Sequence, residues 1–199
     1  RINVPSVLTT LVTDELDFPN LSMVGVDDRA AAYTAVDYLI RQGHRKIAVL
    51  GGPVTSYPSL MRRQGAQQAM EDAGIVFNDK LYGLSNYDFE SAYHAMNSLL
   101  ARRAEFTALF AMSDVIAFGA IRALVSAGLR VPEDVSVIGF DGITMSRYCV
   151  PVMTTIVQPS EQIALQSIEL LVRQIEHGSP AQTVTLQPEL QQGESVRAI

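Results

Sequence analysis

Short apolar runs alternate with longer amphipathic stretches along most of this chain, and that rhythm restricts the folds open to it. Leu21–Val26 is such a run. Arg29–Gln42 follows, with Ala32, Ala35, Val36, Leu39 and Ile40 on one helical face, Asp27 or Asp28 as the cap and Gly43 as the stop. The run Lys46–Leu50 leads through Gly51 and Gly52 to a helix over Leu60–Ala73, ended by Gly74. Further on, Ala108–Met112 precedes a helix over Asp114–Ala127 ended by Gly128, and Val135–Phe140 stops at Asp141. Val4–Leu8, Lys80–Leu84, Met153–Val157 and Thr183–Leu186 read as further strands, Phe89–Leu100 as a helix and Ser146–Val152 as a loop. Ser160 is expected to cap a helix over Ser160–Ile175, with Glu161 in its first turn. Strand–helix–strand repetition of this kind predicts an α/β fold with a mainly parallel sheet. Such sheets place ligands beyond the carboxyl ends of their strands. The stretches to inspect are therefore Gly51–Met61, Ser85–Tyr87, Met112–Asp114 and Asp141–Thr144.

Composition removes several classes of function. With 199 residues, 48% apolar and 18% charged, the chain suits one large domain or two small lobes. A formal net charge of -6 argues against a broad nucleic-acid surface. The single cysteine, Cys149, excludes an intramolecular disulfide framework and an all-cysteine metal site. No apolar run approaches the roughly 18–20 residues needed to span a bilayer. His44, His94 and His177 share no ligand spacing. No metalloprotease helix motif, Walker loop or nucleophile elbow occurs, and LGGPVTS lacks the spacing of a dinucleotide loop. Neither a metal, a cofactor nor an enzymatic activity is expected.

Four segments, in order and spacing, carry a resemblance. They are DDRAAAYTAVDYLIRQGHRKIAVLGG, MRRQGAQQAM, FTALFAMSDVIAFGAIRALVSAGLRVPEDVSVIGFDG and RYCVPVMTTIVQPSEQIALQSIELL, and the tail TLQPELQQGESVR extends the match. Together they resemble the effector-binding core of the lactose/galactose repressor family of bacterial transcription regulators, over nearly the whole chain. The resemblance implies a periplasmic-binding-protein-like fold of two lobes, each a parallel-sheet α/β sandwich. It implies a first lobe from residues 1–43 and 157–178, and a second from 44–156 and 179–199. It further implies that the first lobe is incomplete and that the family's DNA-binding headpiece is absent from the sequence. An incomplete sheet should leave open edges and uncovered apolar faces.

The same resemblance singles out ligand contacts. Arg62, in the pattern Arg62-Arg63-Gln64-Gly65, matches the family's contacting arginine, and a guanidinium fork suits hydroxyl pairs or a carboxylate. Its bland alternative is a solvated surface arginine. Asp141 matches the family's ligand aspartate, although the residue after it is Gly142 rather than a second aspartate. A carboxylate there can accept two hydroxyl bonds and pair with Arg62; alternatively it caps a turn. Ser113 and Asp114 stand where the family often has Asn-Asp, and Asp114 also fits a helix cap. Tyr87 takes the place of an aromatic that stacks on a sugar, or else packs between the lobes. Tyr57, Ser59 and Gln158 are weaker rim candidates.

As partners, the resemblance implies a small effector of sugar or polyol type, and operator DNA through the headpiece alone. It implies a homodimer, to which the helix Asp114–Ala127 and the loop Arg147–Val152 contribute, and a cytoplasmic location. Two other readings compete: a periplasmic sugar-binding protein feeding a transporter, and an α/β enzyme assembled around Asp141, Asp114 and Arg62. The second lacks an activated nucleophile, a metal trio and a cofactor loop.

Overall fold

A computed structural model describes residues 4–199 except 14 and 17. The chain divides into two compact units. The smaller is built from residues up to Asp27 and from Gln158–Glu189, the larger from Asp28–Val157 and Leu190–Ile199.

The larger unit is a parallel α/β sandwich. Its strands are β3 (Ile47–Gly51), β4 (Tyr82–Leu84), β5 (Ala108–Ala111), β6 (Ser136–Asp141), β7 (Thr154–Val157) and β9 (Glu189–Gln191). They form one sheet in the order β4-β3-β5-β6-β7-β9, and each of the pairs from β4 to β7 is parallel. The central strands are buried along almost their whole length, which is why they read as continuous apolar runs rather than alternating ones. Helices α1 (Asp28–Arg41), α2 (Tyr57–Asp72), α3 (Phe89–Ala101) and α4 (Asp114–Ser126) belong to this unit. Its core includes Leu39, Leu50, Leu99, Phe110, Leu124 and Phe140, all fully buried. Each such side chain contributes about 1.5–3 kcal/mol by leaving water.

Helices α1 and α2 cross closely because Gly65 has no side chain. A Cβ there would lie 2.0 Å from the carbonyl oxygen of Arg29. Ser56 starts α2 by accepting the Ser59 N–H, with Pro58 in the first turn. The helix thus begins ahead of the expected Leu60.

The last ten residues return to the larger unit. The Ser195 hydroxyl donates to the Val137 carbonyl at 2.6 Å and accepts the Thr154 N–H at 2.8 Å. His44, buried, bridges the Thr107 hydroxyl and the Arg197 carbonyl. Strand β9 flanks β7.

The smaller unit holds a three-stranded parallel sheet in the order β1-β2-β8, made of Ser6–Thr9, Leu21–Val26 and Thr183–Leu186. Helix α5 (Ser160–His177) packs on it through Ile163 and Leu170, which form a small core with Val24 and Val26. On α5, Leu165, Ile168, Val172 and Ile175 are exposed.

Several boundaries differ from the expectation. Helix α1 belongs to the larger unit, not to the first lobe, because its Ala31, Ala32, Ala35, Val36 and Leu39 face joins the larger core. Strand β8 belongs to the smaller unit, because it pairs with β2 rather than with the larger sheet. The two units divide at 27/28, 157/158 and 189/190, where the expected borders are 43/44, 156/157 and 178/179. Ser160 is the first helical residue of α5; Pro159 occupies the cap position, and no side chain caps it. The segment Thr144–Arg147 forms a 3₁₀ turn where a loop was expected to begin. Strand β9 was not anticipated.

Candidate functional site

The candidate residues gather at the carboxyl edge of the larger sheet, where β3, β4, β5 and β6 end. Arg62, one turn into α2, is only 5% exposed. Its Nε donates to Asp28 Oδ1 at 2.7 Å, and Nη1 donates to the Met112 carbonyl at 2.5 Å. The guanidinium lies over the Phe140 ring, 3.7 Å from its centroid. Nη1 is also 3.6 Å from Asp141 Oδ1. The side chain is therefore fixed in direction by a carboxylate, a carbonyl and a ring before any ligand is considered.

The Asp141 side chain retains 26% of its exposure, and its backbone has φ of 112°. That region is one L-residues other than glycine avoid, at a cost of order 1–3 kcal/mol. Strain at a strand end that carries a half-open carboxylate is characteristic of functional positions.

Tyr87 also has positive φ, 60°. Its ring sits on Gly52, where a Cβ would meet ring carbon Cε2 at 2.1 Å. The glycine after β3 thus makes room for the aromatic after β4. The Tyr87 hydroxyl is buried and has no hydrogen-bond partner among the described residues. In the β3–α2 turn, Ser59 is buried and its hydroxyl donates to the Gly52 carbonyl, while Tyr57 opens α2 half-buried. Gln158 is the first residue of the smaller unit's second segment.

Ser113 and Asp114 hold the loops in place. The Ser113 hydroxyl caps α4 by accepting the Ile116 N–H at 3.1 Å. Asp114 lies in the first turn of α4, so the capping role falls to Ser113. The Asp114 carboxylate accepts the Thr155 hydroxyl at 2.6 Å and the Ile143 N–H at 2.8 Å. It thereby ties the turn after β6 to strand β7. Burial pushes its pKa from 3.8 up to about 6, against the opposing effect of those hydrogen bonds.

That shift has a sign. Between about pH 4 and 6 the native Asp114 holds a proton that the unfolded chain has released. Its contribution to stability is full below about pH 4 and is lost as pH rises through 6. Denaturant unfolding of the protein and of Asp114→Asn at several pH values should show the difference between them changing over this window, by on the order of 2 kcal/mol. A difference that stays constant from pH 4 to 7 would place the titration elsewhere.

Asp28 is the residue that sequence reasoning placed only as a helix cap. The Asp27-Asp28 pair signals a helix start; nothing in the local pattern reports an arginine 34 positions later. Thr155 and Phe140 were likewise read only as parts of strands.

The fold and this edge define a ligand-binding α/β sandwich, and comparison with known proteins gives the family. Residues 36–196 match the model of the periplasmic binding protein-like domain. The chain is 37% identical over 195 residues to the transcriptional regulator MalR of Clostridium butyricum, covering 98% of this chain and 58% of that protein. It is 35% identical over 181 residues to the repressor PurR of Histophilus somni, covering 90% and 54%. A solved complex of the transcriptional regulator CelR with cellobiose superposes with a TM-score of 0.85 at 33% identity, over 90% of this chain and 56% of that one. The chain belongs to the periplasmic-binding-protein-like family and, within it, to the effector-binding domains of LacI/GalR-type regulators. It spans about half the length of the curated relatives it matches. Those relatives are regulators rather than enzymes. No described helix is long and apolar enough to cross a membrane.

Proposed function

We propose that this chain is the effector-sensing part of a DNA-binding transcription regulator, most simply a repressor, and that its effector is an uncharged sugar or polyol held at the carboxyl edge of the larger sheet. The observation that carries the reading is Asp141: a half-open carboxylate on strained backbone, 3.6 Å from a buried arginine fixed in one orientation. Sugar hydroxyls donate to Asp141 and accept from Arg62, and Tyr87 offers a ring and a buried hydroxyl to the same ligand. Ser113 and Asp114 act on the effector through the loops they hold. The reaction is binding only; the ligand shifts the population of conformations that differ in affinity for the operator. The names of the relatives support regulation over transport. The operator is read by a part of the protein outside this sequence.

The test is calorimetric titration of the purified protein with a panel of neutral mono- and disaccharides, repeated on Asp141→Asn. Asparagine tolerates positive φ and keeps the shape, so the fold is little disturbed. The best ligand should bind about 10–100-fold more weakly to the variant, the effect of losing charge-assisted acceptance. Equal affinity in the two proteins would move the pocket elsewhere.

The regulator is further proposed to be a homodimer through the apolar face of α4. Phe89, Phe118, Val125, Met145, Cys149 and Val150 line a hollow of about 560 Å³ there, and Val150 is 93% exposed. So much clustered apolar surface is what a self-complementary interface buries.

A further inference from the structure

Arg62 is the cation of the candidate site, yet its charge is already committed. Asp28 takes Nε at 2.7 Å with both side chains almost wholly buried, and Asp141 stands 3.6 Å from Nη1. Two carboxylates on one guanidinium leave the cluster with a formal charge of -1. The Met112 carbonyl on Nη1 adds further negative potential, and the Phe140 ring presents its electron-rich face to the same group. Asp114, held against the Gly142–Ile143 turn, lies close enough to feel Asp141 and adds negative charge as pH rises above its midpoint. An anionic ligand that approached Arg62 would have to displace Asp28 or sit beside Asp141.

We propose that Asp28 is a specificity-determining residue: by neutralising Arg62 from behind, it makes the site one for uncharged hydroxyl-rich molecules and closes it to phosphorylated or carboxylated ones. The inference rests on the effector-site reading above. Asp28 positions the guanidinium and sets its charge balance without needing to touch the ligand. Uncharged hydroxyls meet no such penalty, since one can donate to Asp141 while its neighbour accepts from Arg62.

Inorganic phosphate is the probe, because it needs no knowledge of the natural effector. The Arg62 Nε–H resonance, assigned by its loss in Arg62→Lys, is followed by nuclear magnetic resonance during phosphate titration at neutral pH. In the unmodified protein it should not move at millimolar phosphate. In Asp28→Asn, whose amide oxygen can still accept from Nε, it should move saturably, with an apparent affinity at least about tenfold tighter. Asp141→Asn, which leaves the buried Asp28 pair intact, should gain a response in the same direction and serves if Asp28→Asn does not fold. A purely structural role for Asp28 would change stability but not this anion response. Saturable phosphate binding at Arg62 in the unmodified protein overturns the inference, and so does an absence of any gain in the variants. Whether this edge is an effector site at all is decided separately, by the neutral-sugar titrations.

Discussion

Arg62→Ala should lower the unfolding free energy by about 3–5 kcal/mol, the range seen when one partner of a buried ion pair is removed. Three losses coincide. The Asp28 carboxylate stays buried without that cation, the Met112 carbonyl loses its donor, and the Phe140 ring loses the guanidinium stacked on it. Against the 5–15 kcal/mol that stabilises an ordinary domain, this is a large fraction. Urea unfolding of the single variant measures it. Adding Asp28→Ala should recover part of the loss, since the double variant has no stranded charge, and the resulting cycle isolates the coupling. A single-variant cost below about 1 kcal/mol would mean that Asp28 is hydrated once the arginine is gone. The same reasoning bears on binding experiments. Failure of Arg62→Ala to bind a sugar would mix lost contacts with lost structure, whereas Asp141→Asn reads binding more cleanly.

Val125→Lys should convert the proposed dimer to monomer at micromolar concentration, with the dimer dissociation constant raised about 100-fold or more. Val125 lies near the carboxyl end of α4 and lines the hollow with Phe118 and Val150. Lysine is a better helix former than valine and is favoured at a helix carboxyl end, so the fold should be unharmed. In a two-fold interface each copy contributes the same substitution, placing two like charges in a desolvated apolar face. Sedimentation equilibrium decides the matter. A variant that remains dimeric would put the interface on another surface, and a monomeric unmodified protein would remove the dimer from the proposal altogether.

The fold was largely readable from the sequence because most buried strands are short, mainly apolar runs, and helices α1, α2, α4 and α5 are each followed by a glycine at positive φ. Leu21–Val26 and Thr183–Leu186 coincide with β2 and β8. What was not readable was partnership. Whether β8 joins one sheet or the other depends on its pairing with β2, across a sequence gap that periodicity does not span. Strand β9 is three residues long with no run to announce it. Helix α2 starts early because Ser56 and Pro58 act as start signals in a stretch whose apolar pattern has not yet begun. At the candidate site, the resemblance singles out Arg62, Asp141 and Tyr87 by motif, and the structure sets them at the same end of the larger sheet. Local patterns carried no sign that Asp28 would hold Arg62, since its sequence role as a helix starter and its spatial role as a counter-charge leave the same letter. Ser113 and Asp114 are expected as ligand contacts, with Asp114 alternatively a helix cap; in the structure the serine caps the helix and the aspartate fastens the loop.

Because the larger unit is completed by residues 190–199, its assembly is tied to the order of synthesis. The ribosome makes β3 to β7, then turns to α5 and β8 of the smaller unit, and only afterwards supplies β9 and Ser195. Until then β7 is an open edge in the nascent chain, and the hydroxyl that joins Val137 to Thr154 has not yet been made. Translation that stalls after α5 would leave a sheet ready to pair with another chain, the kind of species that chaperones capture and aggregates recruit.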